Sequence, residues 1–298
     1  MPVESSADLA DAAARQRARR RRKNLLGLIL LPPLLFVFFR WFEHAQVYHP
    51  TATHWATPAQ LGLPWEEAYF SAADGVALHG WFFPADTNSP RRHLAVLHCH
   101  GNGGNISHRL DVAEALLETG VNVLLFDYRG YGRSAGRPSE AGTYLDAQAA
   151  HAWLRGRGFA ATNLIAFGES LGGAVATELA LREPLGALVL QSTFTSIPDI
   201  GAELFPFLPV RWLARIRYDT HSKLPRVTLP VVILHSRRDT LVRFHHAERN
   251  FAVAREPKRL LEIAGDHNDF LEAGRAEFVA GFAECLRLLS AGPDSGVR

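Results

Sequence analysis

The chain has 298 residues, enough for one large domain or two small ones, and 47% of them are hydrophobic, which allows a sizeable core. The net charge of +2 conceals an asymmetry, because seven of the 32 Lys and Arg residues lie between positions 15 and 23 and the remainder is slightly acidic. This distribution excludes a nucleic-acid-binding face on the rest of the chain. The two cysteines, Cys99 and Cys285, are expected to be buried thiols, and a disulfide would require the fold to bring them together.

A membrane anchor is predicted near the N-terminus. Residues 1–24 form a basic tail that we expect to be disordered, and residues 25–42 follow it as an apolar segment of about 27 Å if helical, at about 1.5 Å per residue. Arg40 can snorkel and Trp41 suits a membrane interface. There is no A-x-A site between 40 and 56 and no lipobox cysteine, so an uncleaved anchor is favoured over a cleaved signal peptide. The positive-inside rule then keeps the tail in the cytoplasm and exports the rest, to the periplasm in a bacterium.

After a linker predicted at 43–64, apolar runs alternate with helix-like segments through a folded domain at 65–290, and a short tail, 291–298, ends the chain. Eight strands are predicted, at 66–72, 74–83, 93–99, 121–128, 163–168, 185–192, 230–236 and 259–265. Helices are predicted at 105–119, 142–157, 171–182, 245–255 and 272–289. The first two strands read as a hairpin, and crossovers join the others. This alternation predicts an α/β fold with a mostly parallel sheet and helices on both faces.

The stretch Gly168-Glu169-Ser170-Leu171-Gly172 is a G-x-S-x-G pattern between a predicted strand and a predicted helix. That context is typical of a strained turn that presents a serine hydroxyl at the top of a sheet. The glycines are expected where a Cβ would collide with neighbouring backbone. Ser170 is therefore the candidate nucleophile.

A serine hydroxyl needs a base, and the base needs an orienting group. In parallel sheets the working residues follow the carboxyl ends of strands. Asp239 follows the seventh predicted strand and His267 follows the eighth, which gives the chain order Ser, Asp, His. Asp266 and Asp269 flank His267 and compete for the orienting role, but Asp239 is preferred because it comes from a different strand end.

The remaining histidines fit a catalytic role less well. His98 and His100 end the third strand, where they are expected to support a loop, and His235 lies inside the seventh strand. His245 and His246 open a helix and are expected to face solvent. No carboxylate or cysteine completes a ligand set around His98 and His100, so no metal is predicted.

Two backbone N–H groups are predicted to stabilise the oxyanion that forms after attack. One belongs to Leu171, and the other to Asn102 in the glycine-rich loop 101–104. A dinucleotide loop of the form G-x-G-x-x-G would need glycine at 106, which is Ile106, and no G-K-[ST] follows. No cofactor is therefore predicted.

The segment "DYRGYG" also offers candidate polar groups. Asp127 and Arg129 are interpreted as a structural pair that braces the loop beside the active site. Glu140 is expected to cap the following helix or to bond within its own loop.

The alternation is interrupted at 192–224, an insertion rich in Phe, Pro and Arg. Because it leaves the sheet between the sixth and seventh strands, it is expected to pass over the carboxyl-end side of the sheet, where Ser170 lies, as a short cap. Four of its aromatic side chains are predicted to line an acyl-binding pocket: Phe194, Phe205, Phe207 and Trp212. Three arginines are expected to meet anionic headgroups or a substrate phosphate: Arg211, Arg215 and Arg217.

Six ordered motifs resemble the α/β-hydrolase superfamily, in particular its small membrane-anchored branch that includes hydrolases removing acyl chains from proteins. They are "HGNGGNISHR", "FDYRGYGRSAGRPSE", "GESLGGAVA", "STFTSIPD", "RRDTLV" and "GDHND". The resemblance spans residues 48–285 and implies an α/β-hydrolase fold with the triad and oxyanion donors named above. The sequence departs at Glu169, where eukaryotic relatives often carry a basic residue, and it lacks the cysteine-rich N-terminus that some of them use for lipid anchoring. These departures weigh against protein deacylation and leave ester hydrolysis unaffected.

The sequence thus predicts a membrane-tethered, monomeric serine hydrolase acting on a small-molecule or lipid acyl ester, with carboxylic esters and thioesters both possible. Two alternatives stay open. The same machinery cleaves amides, which allows a serine peptidase, and a blocked pocket would leave a catalytically silent membrane scaffold.

Overall fold

The computed structural model describes residues 6–291, which divide into two compact units at Val47 and Tyr48. The first unit is a helix, α1 (Ser6–Val47), which continues through Pro32 and Pro33. Its part Ala14–Val47 is long and apolar enough to cross a membrane, a property that anchors and signal sequences share. The expectation of a disordered tail is wrong for its described part, which is helical, since Ala and Arg are good helix formers.

The second unit is built on a twisted eight-stranded sheet. Its strands are β2 (Glu66–Ser71), β3 (Ala77–Phe83), β4 (Ala95–Cys99), β6 (Asn122–Phe126), β7 (Leu164–Glu169), β8 (Ala187–Gln191), β9 (Val231–His235) and β10 (Lys258–Glu262). Their spatial order is β10-β9-β8-β7-β4-β6-β3-β2, and β3 alone runs against the others. The expected sheet, in its expected α/β-hydrolase arrangement, is confirmed. Because β4 and β7 to β10 are parallel, their carboxyl ends share one edge, which we call the catalytic edge.

Helices cover both faces of this sheet. They are α2 (Leu110–Leu117), α3 (Glu140–Gly156), α4 (Leu171–Arg182), α5 (Ile197–Leu204), α6 (Val210–Leu213), α7 (His245–Val253) and α8 (Phe270–Ala291), the last interrupted at Gly274. Side chains of β7 alternate between the faces, so Phe167 packs on Phe278 and Phe282 of α8 while Gly168 approaches α4. This α8 contact lies within the main apolar core.

The predicted linker 43–64 is wrong over most of its length. Residues 43–47 belong to α1, and a short strand, β1 (His49–Pro50), pairs in parallel with β5 (Gly103–Gly104) in the loop after β4. Residues 48–57, here called the strap, are held further by hydrogen bonds from the Asn105 amide to Thr51 and Thr53. The strap is therefore part of the domain. The sequence does not reveal it, because main-chain pairing holds it and requires no alternation of apolar residues.

The insertion 192–224 leaves the catalytic edge after β8 and carries α5 and α6, followed by a 3-10 turn at Leu224–Arg226. Glu140 does not cap α3, because Ser139 does. Its carboxylate instead accepts the backbone N–H groups of Arg217 and Tyr218 and so ties the insertion to α3. Of the predicted tail 291–298, residue 291 ends α8 and the remainder lies outside the described residues.

Candidate active site

The turn at Ser170 has the strained geometry that the sequence pattern predicts. Ser170 has φ 52° and ψ −115°, a positive φ that a residue with a side chain adopts at a cost. Its N–H donates to the carbonyl of Gln191 at 2.8 Å. A Cβ at Gly172 would lie 1.9 Å from the Cys99 carbonyl oxygen, and one at Gly168 would lie 2.4 Å from the Cα of Gly173. Both glycines therefore permit the close approach of α4 to the sheet.

Three predicted side chains meet at the catalytic edge. His267 Nε2 lies 3.1 Å from Ser170 Oγ, and His267 Nδ1 lies 2.8 Å from Asp239 Oδ2. Since a carboxylate only accepts, Nδ1 carries a proton, and the neutral ring presents the Nε2 lone pair to the serine hydroxyl. Asp239, His267 and Ser170 thus form a continuous chain of contacts. Within it, a proton can pass from the Ser170 hydroxyl to the His267 ring.

Asp239 is fixed from several directions. Its Oδ1 accepts the N–H groups of Leu241 at 3.0 Å and Val242 at 2.7 Å, and its Oδ2 lies 3.3 Å from His235 Nε2. Burial by itself raises the pKa of Asp239, but the hydrogen bonds from His235, His267 and the backbone outweigh it and hold the pKa well below its usual range. The carboxylate therefore stays ionised beside His267.

The competing carboxylates do not orient the ring. Asp266 accepts the backbone N–H of His267 and both polar groups of Thr240. Asp269 accepts the N–H of Asp266. Both carboxylates therefore stabilise the turn that carries His267, while the imidazole itself contacts Asp239.

The structure fixes the backbone that carries the two expected oxyanion donors. Leu171 is the first residue of α4, so its N–H has no intrahelical acceptor. In the loop after β4, His100 Nδ1–H donates to the Gly101 carbonyl at 2.7 Å. C=O and N–H of one peptide point in opposite directions, so this bond also sets the direction of the Asn102 N–H. The Asn102 carbonyl accepts from His49 N–H at 3.0 Å and from Tyr131 Oη at 2.8 Å.

His100 supports the loop as expected, and its environment keeps it neutral. Burial lowers the pKa of His100 to about 4. The ring packs on Tyr128 with centroids 4.3 Å apart. A neutral ring in this position adds no positive charge to the candidate oxyanion site.

A partly buried ion pair beside the serine was not predicted. Glu169, which precedes Ser170, is paired by Arg109 through Nε at 3.1 Å and Nη2 at 2.8 Å, and Arg109 Nη1 also donates to the Gly103 carbonyl at 3.0 Å. Burial alone raises the pKa of Glu169, but Arg109 and His98 outweigh it and lower that pKa. The pair thus joins the strained turn to the loop of Asn102. The acidic residue inside G-x-S-x-G could have indicated that a cation lies nearby. Nothing in the sequence pattern indicates that this cation is Arg109.

The interpretation of Asp127 and Arg129 as one structural pair needs correction, because each binds elsewhere. Arg129 donates to Asp146 and Asp74. Asp127 accepts the Ile106 N–H at 2.9 Å and contacts His54 of the strap at 3.1 Å. Both remain structural, joining β6 to its neighbours.

Two histidine–carboxylate clusters among the described residues place their ligand atoms within 4.8 Å of one another: His54, His79 and Asp127, and Glu203, His245 and His246. In the second cluster, Thr195 N–H donates to His246 Nδ1 at 3.2 Å. That bond leaves the proton of a neutral ring on Nε2, the atom that faces Glu203 at 3.3 Å, and a protonated nitrogen does not bind a metal. The expectation that His246 faces solvent is wrong, because it is fully buried under the insertion, whereas His245 is half-buried.

The predicted acyl-binding aromatics do not act as one set. Phe194 is buried and Phe205 is half-buried, whereas Phe207 is 96% and Trp212 is 90% exposed. Side chains this exposed do not line a pocket, so the prediction is wrong for Phe207 and Trp212. The sequence shows that the insertion is apolar but not which of its sides faces the domain.

The cysteines are confirmed as free, buried thiols. Burial raises the pKa of both Cys99 and Cys285 to about 12. Neither thiol is a nucleophile at neutral pH, which leaves the serine hydroxyl as the candidate.

The sheet, the strained serine turn and the ordered Ser, Asp, His arrangement define an α/β hydrolase. Comparisons with known proteins agree. Residues 90–220 match the family model described as serine aminopeptidase, S33. The chain is 39% identical to an uncharacterised protein of Mycobacterium tuberculosis, over 84% of this chain and 90% of that protein. It is 34% identical to the α/β hydrolase domain-containing protein WAV2 of Arabidopsis thaliana, over 73% of this chain and 78% of that protein.

The fold is also that of a solved enzyme. The esterase Pf2001 of Pyrococcus furiosus superimposes with a TM-score of 0.67 at 24% identity, covering 81% of this chain and 97% of the esterase. The chain belongs to the α/β-hydrolase superfamily.

Proposed function

We propose that this chain is a serine hydrolase that cleaves carboxylic esters or thioesters with Ser170 as nucleophile, His267 as general base and acid, and Asp239 as the orienting carboxylate. The observation that carries the proposal is the unbroken path from Asp239 Oδ2 through His267 to Ser170 Oγ, with contacts of 2.8 and 3.1 Å. The strained backbone of Ser170 supports it, because such strain is common at catalytic residues.

The reaction follows from this geometry in two halves. Ser170 Oγ attacks the carbonyl carbon while its proton passes to His267 Nε2, and the N–H groups of Leu171 and Asn102 stabilise the oxyanion. His267 then gives the proton to the departing alcohol or thiol, which leaves an acyl ester on Ser170. Water attacks that ester with His267 again as base, releasing the acid and restoring the hydroxyl.

The proposed substrates are small-molecule or lipid acyl esters. The fold neighbour from Pyrococcus furiosus is an esterase, which supports this class. A serine aminopeptidase is the second candidate, because the matching family model bears that description. A silent scaffold is disfavoured by the complete Ser, His, Asp path.

Attachment to a membrane is part of the proposal. The helix Ala14–Val47 supports it, since an 18-residue window within it has a mean hydropathy of 2.1, and the arginines at its start favour a cytoplasmic N-terminus. Protease added outside sealed spheroplasts should therefore cleave the catalytic domain. Full protection of that domain would reverse the orientation, and recovery of a soluble mature form would mean that the helix is a cleaved signal peptide.

Active-site labelling combined with a substrate panel tests the catalytic proposal. The full-length protein should react with a fluorophosphonate probe, and Ser170→Ala should abolish labelling without loss of folded protein. On matched acyl p-nitrophenyl esters, acyl thioesters and aminoacyl p-nitroanilides, we expect turnover of the first two classes. Turnover of the anilides alone would instead support the aminopeptidase, and a folded protein that neither labels nor turns over would support the scaffold.

A further inference from the structure

The insertion carries a basic, apolar surface that the catalytic proposal does not use. Within residues 204–217, four apolar side chains are solvent-exposed: Phe207 at 96%, Trp212 at 90%, Leu204 at 49% and Leu213 at 36%. The same fourteen residues include three arginines and no acidic residue. We call this surface the cap patch. Soluble domains rarely expose this many large apolar side chains within one short segment without a partner, so the patch calls for one.

The patch belongs to an ordered element. A Cβ at Gly201 of α5 would lie 2.9 Å from Val210 Cγ1, so α6 rests directly on α5. The N–H groups of Trp212 and Leu213 both donate to the Pro209 carbonyl, at 3.0 and 3.1 Å. Arg211 also bonds Asp199 of α5 at 3.2 Å. These contacts hold Val210 of α6 against α5, while Phe207 and Trp212 remain exposed to solvent.

A lipid bilayer fits this surface best. Tryptophan prefers the membrane interface, and arginine side chains attract anionic headgroups. The chain already carries an apolar helix long enough to cross a bilayer, so a lipid surface lies within reach of the domain. A small acyl substrate fits less well, because side chains this exposed cannot enclose it.

We infer that the cap patch docks onto the surface of a bilayer containing anionic lipid, with Phe207 and Trp212 inserted at the headgroup level. The insertion leaves the sheet at the catalytic edge, after β8 and next to β7, which ends immediately before Ser170. Docking would therefore hold the site against the membrane and favour acyl esters that reside there. This inference rests on the proposed membrane attachment and ester hydrolysis, so its test reads docking and turnover separately.

Labelling at the patch measures docking without any turnover. Both native cysteines are fully buried, so a cysteine introduced by Phe207→Cys can be labelled selectively with a fluorophore. Tyr69→Cys provides the matched control, because Tyr69 is an aromatic of β2 that is 65% exposed outside the insertion. The full-length variants are placed in phosphatidylcholine nanodiscs with and without the anionic lipid phosphatidylglycerol.

Docking predicts that the label at 207 is quenched by a nitroxide lipid and shielded from aqueous iodide. The effect should be stronger with phosphatidylglycerol and weaker after Arg211→Gln with Arg217→Gln or in high salt. The label at position 69 should remain accessible to iodide in nanodiscs of both compositions. Equal behaviour of the two labels would overturn the inference, as would shielding of position 207 that accompanies dimer formation without lipid quenching.

Turnover provides the second readout. Phe207→Ser with Trp212→Ser should lower kcat/KM several-fold for an acyl ester embedded in the nanodisc and leave a short, water-soluble ester unchanged. Equal losses on both substrates would place these side chains in the active site and overturn docking. Wild-type protein that docks but hydrolyses neither ester would contradict the proposed function while leaving the docking surface intact.

Discussion

Two buried aspartates of this domain, Asp239 and Asp127, have nearly the same surroundings. Each accepts a backbone N–H and faces two histidines, His267 and His235 for the first and His54 and His79 for the second. The pKa of each carboxyl is lowered, that of Asp127 to about 2, because hydrogen bonds from histidine and backbone outweigh the effect of burial. An aspartate–histidine pair is therefore not in itself a sign of catalysis.

The difference lies at the far side of the imidazole. His267 presents Nε2 to the Ser170 hydroxyl at 3.1 Å, whereas His54 Nδ1 is buried with no hydrogen-bond partner. The first pair ends on a nucleophile and the second ends inside the protein, where it holds the strap to β6. We therefore expect substitutions at the two aspartates to separate, one acting on rate and the other on stability.

The largest effect is expected from Asp239→Asn. The amide can donate to His267 Nδ1 and so favours the wrong tautomer, with Nε2 protonated toward Ser170. We expect kcat/KM for an acyl p-nitrophenyl ester to fall by about 10⁴-fold, with the fold retained. Near-normal activity in Asp239→Asn, with loss in Asp266→Asn or Asp269→Asn, would assign the orienting role to one of those residues.

Asp127→Asn should act mainly on stability. A carboxyl whose pKa falls from 3.8 to about 2 on folding stabilises the folded state by about 2 kcal/mol at neutral pH. Denaturant unfolding at pH 7 should show a loss of at least about that size, while kcat/KM per folded molecule changes less than about tenfold. Loss of activity as large as in Asp239→Asn, with unchanged stability, would contradict the structural role.

Acid should destabilise the domain through His100. Its folded pKa of about 4 lies below the usual 6.5, so the unfolded chain takes up a proton first as the pH falls. Stability is therefore lost between about pH 6.5 and 4, by up to about 3 kcal/mol from this residue. In His100→Asn, which keeps an N–H donor near Nδ1, the dependence of unfolding free energy on pH should be shallower over that range. An unchanged slope would show that other groups dominate.

The smallest effect is expected from Asp266→Asn. The amide oxygen can still accept the N–H groups of Thr240 and His267, which the carboxylate accepts at 2.7 Å each. We expect kcat/KM to fall less than about tenfold, because solvent screens the charge of this exposed carboxylate. The matched comparison is Asp239→Asn in the same assay.

The sequence predicts the sheet and the Ser, Asp, His arrangement because both follow from local patterns. Each candidate catalytic residue follows an apolar strand, and parallel strands bring such positions to one edge. Asp239 and Ser170 accordingly each lie within hydrogen-bond distance of His267.

The remaining features depend on contacts between distant segments. The strap is held by two-residue strand pairing with Gly103–Gly104. Arg109 pairs with Glu169, which lies 60 residues further along the chain. His246 lies at the start of a helix, a position from which solvent exposure is expected. Its side chain is instead buried under the insertion, where it accepts the Thr195 N–H. In the insertion, apolar composition alone does not distinguish Phe194, which packs inward, from Phe207, which faces solvent.

The most direct test of the central claim is the rate at which a fluorophosphonate adds to Ser170, followed by intact-protein and peptide mass spectrometry. Wild type and Asp127→Asn should form one adduct, on Ser170, at similar rates per folded molecule, whereas Asp239→Asn should react slower by orders of magnitude. An adduct on another residue, or equal rates in all three proteins, would contradict the assignment of Asp239, His267 and Ser170 as the catalytic path.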